Sequence, residues 1–207
     1  MNPTSQSKHF IISLNKVDLL TLSGVFTASL AVAAALSGYI YLCTSLLFIA
    51  MLGDALDGIL ARKYQLERPF GRYLDGFMDV LIYLVAPTLA LYVHGFNGIW
   101  VVALWPVLVC GSIRLSVFND IGNIQESDGL AYLGMPVFWS VFILAGFLLL
   151  EFVVPQWLAR SLLAVILCVF SYAMIIRQPF FKFKKLSHIL ILTIGNSLLF
   201  LAIQLSR

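Results

Sequence analysis

Charge is what this chain has least of. Of 207 residues only 11% are Asp, Glu, Lys or Arg, while 61% are hydrophobic, and mean hydropathy is +0.97. That balance excludes an ordinary soluble domain and describes an integral membrane protein. No polar stretch is long enough to hold a separate soluble domain. Cysteine is also scarce. Cys43, Cys110 and Cys168 lie far apart in apolar runs, which excludes a disulfide framework or a zinc site and reads them as small buried hydrophobes. A net charge of +3 is too small to suggest a nucleic-acid partner. The polar N-terminus lacks a cleavable signal pattern, and no internal repeat is evident.

What is present is a series of apolar stretches, each near the ~20 residues that span a bilayer as a helix. They cover residues 17–38, 39–61, 71–93, 98–118, 133–152, 156–176 and 186–205, and Gly195-Asn196 is a candidate break in the last. The expected fold is an all-α integral membrane protein, a bundle of six to eight transmembrane helices with seven as the best count. Residues 1–16 form a separate N-terminal segment, either a short helix on the membrane surface or a polar tail. In it Phe10, Ile11, Ile12 and Leu14 are interspersed with Lys8, His9, Ser13, Asn15 and Lys16. Residues 17–207 form the transmembrane domain. Positive charge sets its orientation. Lys8 and Lys16, then Arg62, Lys63, Arg68 and Arg72, then Arg177, Lys182, Lys184 and Lys185 fall on one side, which is therefore expected to be cytoplasmic.

Against this background four carboxylates stand out. Asp54 and Asp57 are three apart at the end of one apolar run, and Asp75 and Asp79 are four apart at the start of the next. Both spacings put a pair on one helix face. Ionised carboxylates are costly beside hydrocarbon unless partnered. Helices meeting near Arg62–Gly71 would gather all four, and divalent cations are the remedy for such repulsion. Hard oxygen ligands suit Mg²⁺ or Mn²⁺. Gly58, one turn after Asp54, and Ala61 keep that face small, Gly71 clears space at the start of the third helix, and Arg62 has a fork suited to phosphate.

The complete pattern, D-x2-D-G-x2-A-R-x8-G-x3-D-x3-D over Asp54, Asp57, Gly58, Ala61, Arg62, Gly71, Asp75 and Asp79, resembles the signature of the CDP-alcohol phosphotransferase family. The resemblance implies an enzyme that binds a CDP-linked lipid, usually CDP-diacylglycerol. An alcohol attacks its lipid-side phosphorus and CMP leaves, with two Mg²⁺ or Mn²⁺ ions bridging the diphosphate. It implies metal ligation by Asp54, Asp57, Asp75 and Asp79, and proton acceptance by Asp79. It places Gly58, Ala61, Arg62, Arg68, Gly71 and Thr21 around the CDP-lipid. The family's Pro-Asn-x-x-Thr at the first helix reads Val17-Asp18-Leu19-Leu20-Thr21 here, so only the threonine matches. A homodimer, membrane lipids as surroundings, an active site on the cytoplasmic side and, in a bacterium, the inner membrane are further implications.

Beyond the block the chain is similar to the phosphatidylserine synthase branch. That branch reads G-x-x-R-L-A-R-F-N where this chain has Gly111 to Asn119 with Val117 for the second arginine, and F-G-V-A-P where it has Tyr83-Leu84-Val85-Ala86-Pro87. Arg114 is a lone arginine in an apolar helix and should face the bundle interior and an anion. The serine carboxylate fits, as does one of the four aspartates, and snorkelling to the headgroups is the third reading. Asn119 is placed for the acceptor's amino or hydroxyl group. Serine is thus the favoured acceptor, with glycerol phosphate, inositol phosphate and choline as alternatives. A divalent-cation transporter is the rival from another class; its acids would lie near mid-bilayer rather than at a helix end beside basic residues.

Overall fold

A computed structural model of the chain describes residues 11–122, 124–126, 129–180 and 186–207. Helix α1 (Lys16–Leu36) starts at a reciprocal cap. The Asp18 N–H donates to the Asn15 side chain at 2.8 Å, and the Asn15 N–H donates to the Asp18 carboxylate at 2.7 Å. Asp18, Thr21, Gly24, Ala28, Ala31, Ala34 and Ala35 form its buried stripe, and so many small side chains let α2 (Ile40–Lys63) lie close along it. The turn between them is made by Gly38, whose φ of +84° is a conformation few other residues adopt.

A short loop leads to a 25-residue apolar rod, Pro69–Val93. It comprises α3 (Pro69–Asp79), a π-helical segment (Val80–Val85) and α4 (Ala86–Val93). Proline at the first helical position starts it without wasting an N–H. A 3₁₀ turn (Gly98–Ala103) then leads into α5 (Leu104–Ile121). Next come strands β1 (Ile124–Glu126) and β2 (Gly129–Leu133), helices α6 (Trp139–Leu150) and α7 (Gln156–Ile175), strand β3 (Pro179–Phe180) and helix α8 (Leu186–Leu205). Each strand pairs antiparallel with the next, in the order β1-β2-β3.

Among the described residues, six helices are long and apolar enough to cross a membrane, and α6 is a seventh, shorter apolar helix of 12 residues. The chain is an all-α integral membrane protein. Its core runs through Leu47, Phe48, Ile82, Leu84, Leu144, Leu148 and Phe200, all fully buried. Phe48 meets Phe142 edge-on at 5.2 Å and stacks on Phe200 at 6.3 Å. The Ser45 hydroxyl donates to the Ser197 carbonyl at 2.9 Å, a polar tie of the kind that joins helices in lipid.

The sequence expectations differ from this in five places, the first being Cys168 of α7, expected to be buried and exposed here. Helix α6 begins six residues later than the expected 133. Gly134 takes a φ of +75° and its N–H donates to the Gln178 carbonyl, so the chain enters the bundle extended before turning helical. The strands were not foreseen. Helix α8 passes through Gly195-Asn196 unbroken. Residues 11–15 are not helical, and the rest of the expected interfacial helix lies outside the described residues, as do Lys182, Lys184 and Lys185.

Candidate active site

Asp54 and Asp57 occupy the last turns of α2, Asp75 and Asp79 lie on α3, and the hairpin of these helices gathers them. One oxygen from each of Asp54, Asp57 and Asp75 lies within 4.8 Å of the other two. The Asp54 carboxyl is also within hydrogen-bonding reach of those of Asp75 and Asp79. Asp57 and Asp79 are buried. Among the described residues, no Lys or Arg forms an ion pair with any of the four; the ion pairs present are Arg68–Asp18 and His94–Glu151. Gathered carboxylates without a cationic partner fit a divalent ion. Ligand oxygens on one Mg²⁺ lie at most about 4 Å apart, so a small side-chain movement closes the trio on an ion.

Two hydroxyls hold the cluster from outside. Thr21 of α1 donates to Asp57 Oδ2 at 2.6 Å. Tyr83, in the π segment, donates to Asp54 Oδ2 at 2.6 Å. Thr21 was expected at the CDP-lipid; the structure sets its hydroxyl on a carboxylate. Tyr83 was missed as a site residue. Its signal was the i+4 spacing from Asp79, which puts both on one face.

The other expected residues divide. Arg62 is exposed at the rim, and its guanidinium lies over Gly58, 3.7 Å from where a Cβ would sit. Ala61 is half-buried on the same helix, and Gly71 faces the Asp18 carboxylate, with 3.7 Å to a would-be Cβ. Arg68 turns to the start of α1 instead. It pairs with Asp18, donates to the Ser13 carbonyl at 3.0 Å and covers the Phe70 ring at 4.9 Å. Asp18, which replaces the family's asparagine, is thereby a joint between α1 and the loop before α3.

Arg114 lies in the bundle at 5% exposure, so it does not snorkel. Its guanidinium sits 5.3 Å from the Phe118 ring and 5.8 Å from the Tyr132 ring, and its Nε has no hydrogen-bond partner. Burial pushes the Tyr132 phenol up to about 12, and the Asp54 and Asp79 charges act the same way, so it stays a neutral donor. Asn119 packs onto Gly76, where an added Cβ would run into the asparagine side chain. It also borders a 140 Å³ cavity with Tyr73, Phe77 and Ser112. Gly76, inside the aspartate block, is thus what lets α5 approach α3.

Residues 14–201 match the family model described as CDP-alcohol phosphatidyltransferase. A CDP-diacylglycerol–serine O-phosphatidyltransferase of Bacillus subtilis is 31% identical over 172 residues, spanning 81% of this chain and 90% of that protein. A protein of the same name from Methanocaldococcus jannaschii is 29% identical over 150 residues, spanning 72% of this chain and 67% of its own length. A phosphatidylcholine synthase of Rhizobium meliloti is 31% identical over 140 residues, 64% of this chain and 56% of that protein.

Proposed function

The chain belongs to the CDP-alcohol phosphatidyltransferase family, and from that premise we propose that it transfers the phosphatidyl group of CDP-diacylglycerol to the hydroxyl of L-serine, releasing CMP. Family membership makes it an enzyme and sets the transporter reading aside. The observation that carries the serine assignment is Arg114, a buried cation within electrostatic reach of Asp79 and with an unpartnered Nε. A carboxylate on the acceptor supplies what that guanidinium lacks. The relatives named as serine transferases agree with it.

Asp54, Asp57, Asp75 and Asp79 would hold two Mg²⁺ or Mn²⁺ ions, which neutralise the diphosphate and the leaving oxygen when bound. Arg62, lying over Gly58 at the rim, is placed to bind the diphosphate. Thr21 acts on the reaction through Asp57 rather than on the nucleotide, and Arg68 braces the first helix. Arg114 orients the serine carboxylate, with Tyr132 and Asn119 beside it. Asp79 accepts the proton from the serine hydroxyl as its oxygen bonds to the lipid-side phosphorus. The bond from that phosphorus to the CMP oxygen breaks, and CMP keeps the electron pair. The basic rim formed by Arg62, Lys63 and Arg72 faces the cytoplasm, and in a bacterium the membrane is the inner one. The working unit is a homodimer, tested by cross-linking in native membranes.

Choline is the second reading, since relatives include phosphatidylcholine synthases and the Phe118 and Tyr132 rings offer a cation surface. Arg114 itself covers those rings, and a second cation would be repelled. The deciding experiment uses purified protein with Mn²⁺ and CDP-diacylglycerol, offers serine, glycerol phosphate, inositol phosphate and choline in turn, and identifies the lipid product. Serine-dependent CMP release is expected; a product with choline alone overturns the assignment. Asp79→Asn should keep nucleotide affinity and lose about 10²–10⁴-fold in kcat. Arg114→Ala should raise the serine KM about 10–100-fold, as expected for a hydrogen bond to a charged group, and leave that for CDP-diacylglycerol nearly unchanged.

A further inference from the structure

Tyr83 is buried at 2% exposure in a stretch that is otherwise aliphatic. A phenol so placed needs a partner for its O–H. It finds Asp54 Oδ2 at 2.6 Å, and a bond to an ionised acceptor is of the stronger kind. The backbone of the same residue is held from the other side, where the Ser140 hydroxyl of α6 donates to the Tyr83 carbonyl at 2.5 Å. Both contacts fall within the π segment Val80–Val85, which follows Asp79 directly. Single π turns interrupt helices most often at functional sites. Pro87, four residues on, has no N–H to offer the Tyr83 carbonyl, and the Ser140 hydroxyl donates to it. A chain of contacts therefore runs from α6 through the Tyr83 backbone and ring to one oxygen of the acid cluster.

We propose that Tyr83 is a positioning residue for Asp54, fixing its carboxylate so that the cluster closes on a divalent ion, with Ser140 of α6 as the anchor. The proposal rests on the reading of the four aspartates as metal ligands. A carboxylate oxygen that accepts from the phenol keeps a second lone pair, and the other oxygen keeps both. Tyr83 thus restrains the rotation of Asp54 while leaving lone pairs for a metal. It also keeps Asp54 from turning fully onto Asp75 or Asp79, the carboxyls within its reach. Outer partners of this kind change metal affinity by about 10–100-fold when removed.

The test is Tyr83→Phe, which removes one oxygen and keeps the ring. Mn²⁺ binding is titrated by electron paramagnetic resonance on detergent-purified protein without substrate, and kinetics are run across Mn²⁺ concentration. The Mn²⁺ Kd is expected to rise about 10-fold or more. The kcat and the KM for CDP-diacylglycerol should return to within about threefold of wild type at saturating Mn²⁺, because the lost restraint is replaced by mass action. Tyr41→Phe, at the opposite end of α2, controls for loss of a buried hydroxyl and should leave Mn²⁺ binding unchanged. Should Tyr83→Phe fail to fold, Ser140→Ala takes its place, with a shift in the same direction and smaller. An unchanged Mn²⁺ Kd in the folded variant overturns the role of Tyr83, as does a fall in kcat that added Mn²⁺ does not restore. If wild-type protein itself binds no Mn²⁺, the metal reading fails, and the role of Tyr83 fails with it.

Discussion

Single atoms decide much of this site. The Thr21 hydroxyl ties α1 to Asp57 through one hydrogen bond. Thr21→Val, which keeps the shape, should therefore lower kcat/KM about 10-fold, the scale of a hydrogen bond to a charged group, while Thr21→Ser should recover most of it. Equal activity in all three proteins would make the contact incidental. Gly76 has the opposite role, since it matters by what it omits. Its missing Cβ is the room in which Asn119 sits. Gly76→Ala should displace Asn119, cost about 1–3 kcal/mol as overpacking does, and lower thermal stability in detergent. The spacing of the four acids was legible because helical periodicity alone brings residues three and four apart to one face. The contacts of Thr21 and Tyr83 were not legible in that way, because each joins helices whose relative placement no local pattern specifies.

At the scale of elements, the helix that departed furthest from expectation is α6. Hydropathy continues through residues 133–138, so composition reads them as part of a span. Backbone geometry decides otherwise. Gly134 is left-handed, and a Cβ there would strike the Met174 carbonyl of α7. Its own N–H and that of Met135 donate to the carbonyls of Gln178 and Ala173. Non-helical chain in a membrane bundle is tolerated where protein covers it and satisfies its polar groups, and these bonds do so. Gly134→Ala should be among the most destabilising single changes in the chain, its cost exceeding the ~1 kcal/mol that the same change gains where alanine can adopt the backbone, read as loss of folded protein on size-exclusion chromatography after heating. The remaining spans were readable to within a few residues, because a run of about 20 apolar side chains admits few other structures in lipid. Helix α8 shows the limit of local signals. Gly195-Asn196 is a plausible break in water, yet in the helix the Asn196 side chain donates to the Leu192 carbonyl at 2.7 Å and the ladder continues.

For the whole molecule, the acids form a seam joining α2 to α3, so a bound ion is a cross-link as well as a reagent. Saturating Mn²⁺ at about 100 times its Kd should add about 2.7 kcal/mol to the folded state. That predicts a rise in Tm with Mn²⁺ that EDTA reverses and that disappears in an Asp54→Asn, Asp75→Asn double variant; a shift that survives both substitutions would place the ion elsewhere. The far end of the bundle is tied separately. His94 and Glu151 meet at 2.7 Å, joining the ends of α4 and α6, while Arg207 covers the rings of Tyr41 and Phe152. Between these two ends the rod from Pro69 to Val93 does not keep one angular phase. Each residue of an α-helix advances about 100° around the axis, and a π turn inserts one residue without a matching advance along it. The acids above Val80 and the core side chains below Val85 are thus aimed by different halves of one screw. Deleting a single residue within Val80–Val85 should therefore let the π turn close into ordinary α-helix and keep Leu91 in its socket, whereas inserting one there would turn Leu91 and its neighbours about 100° out of theirs, so at this point the rod tolerates shortening better than lengthening.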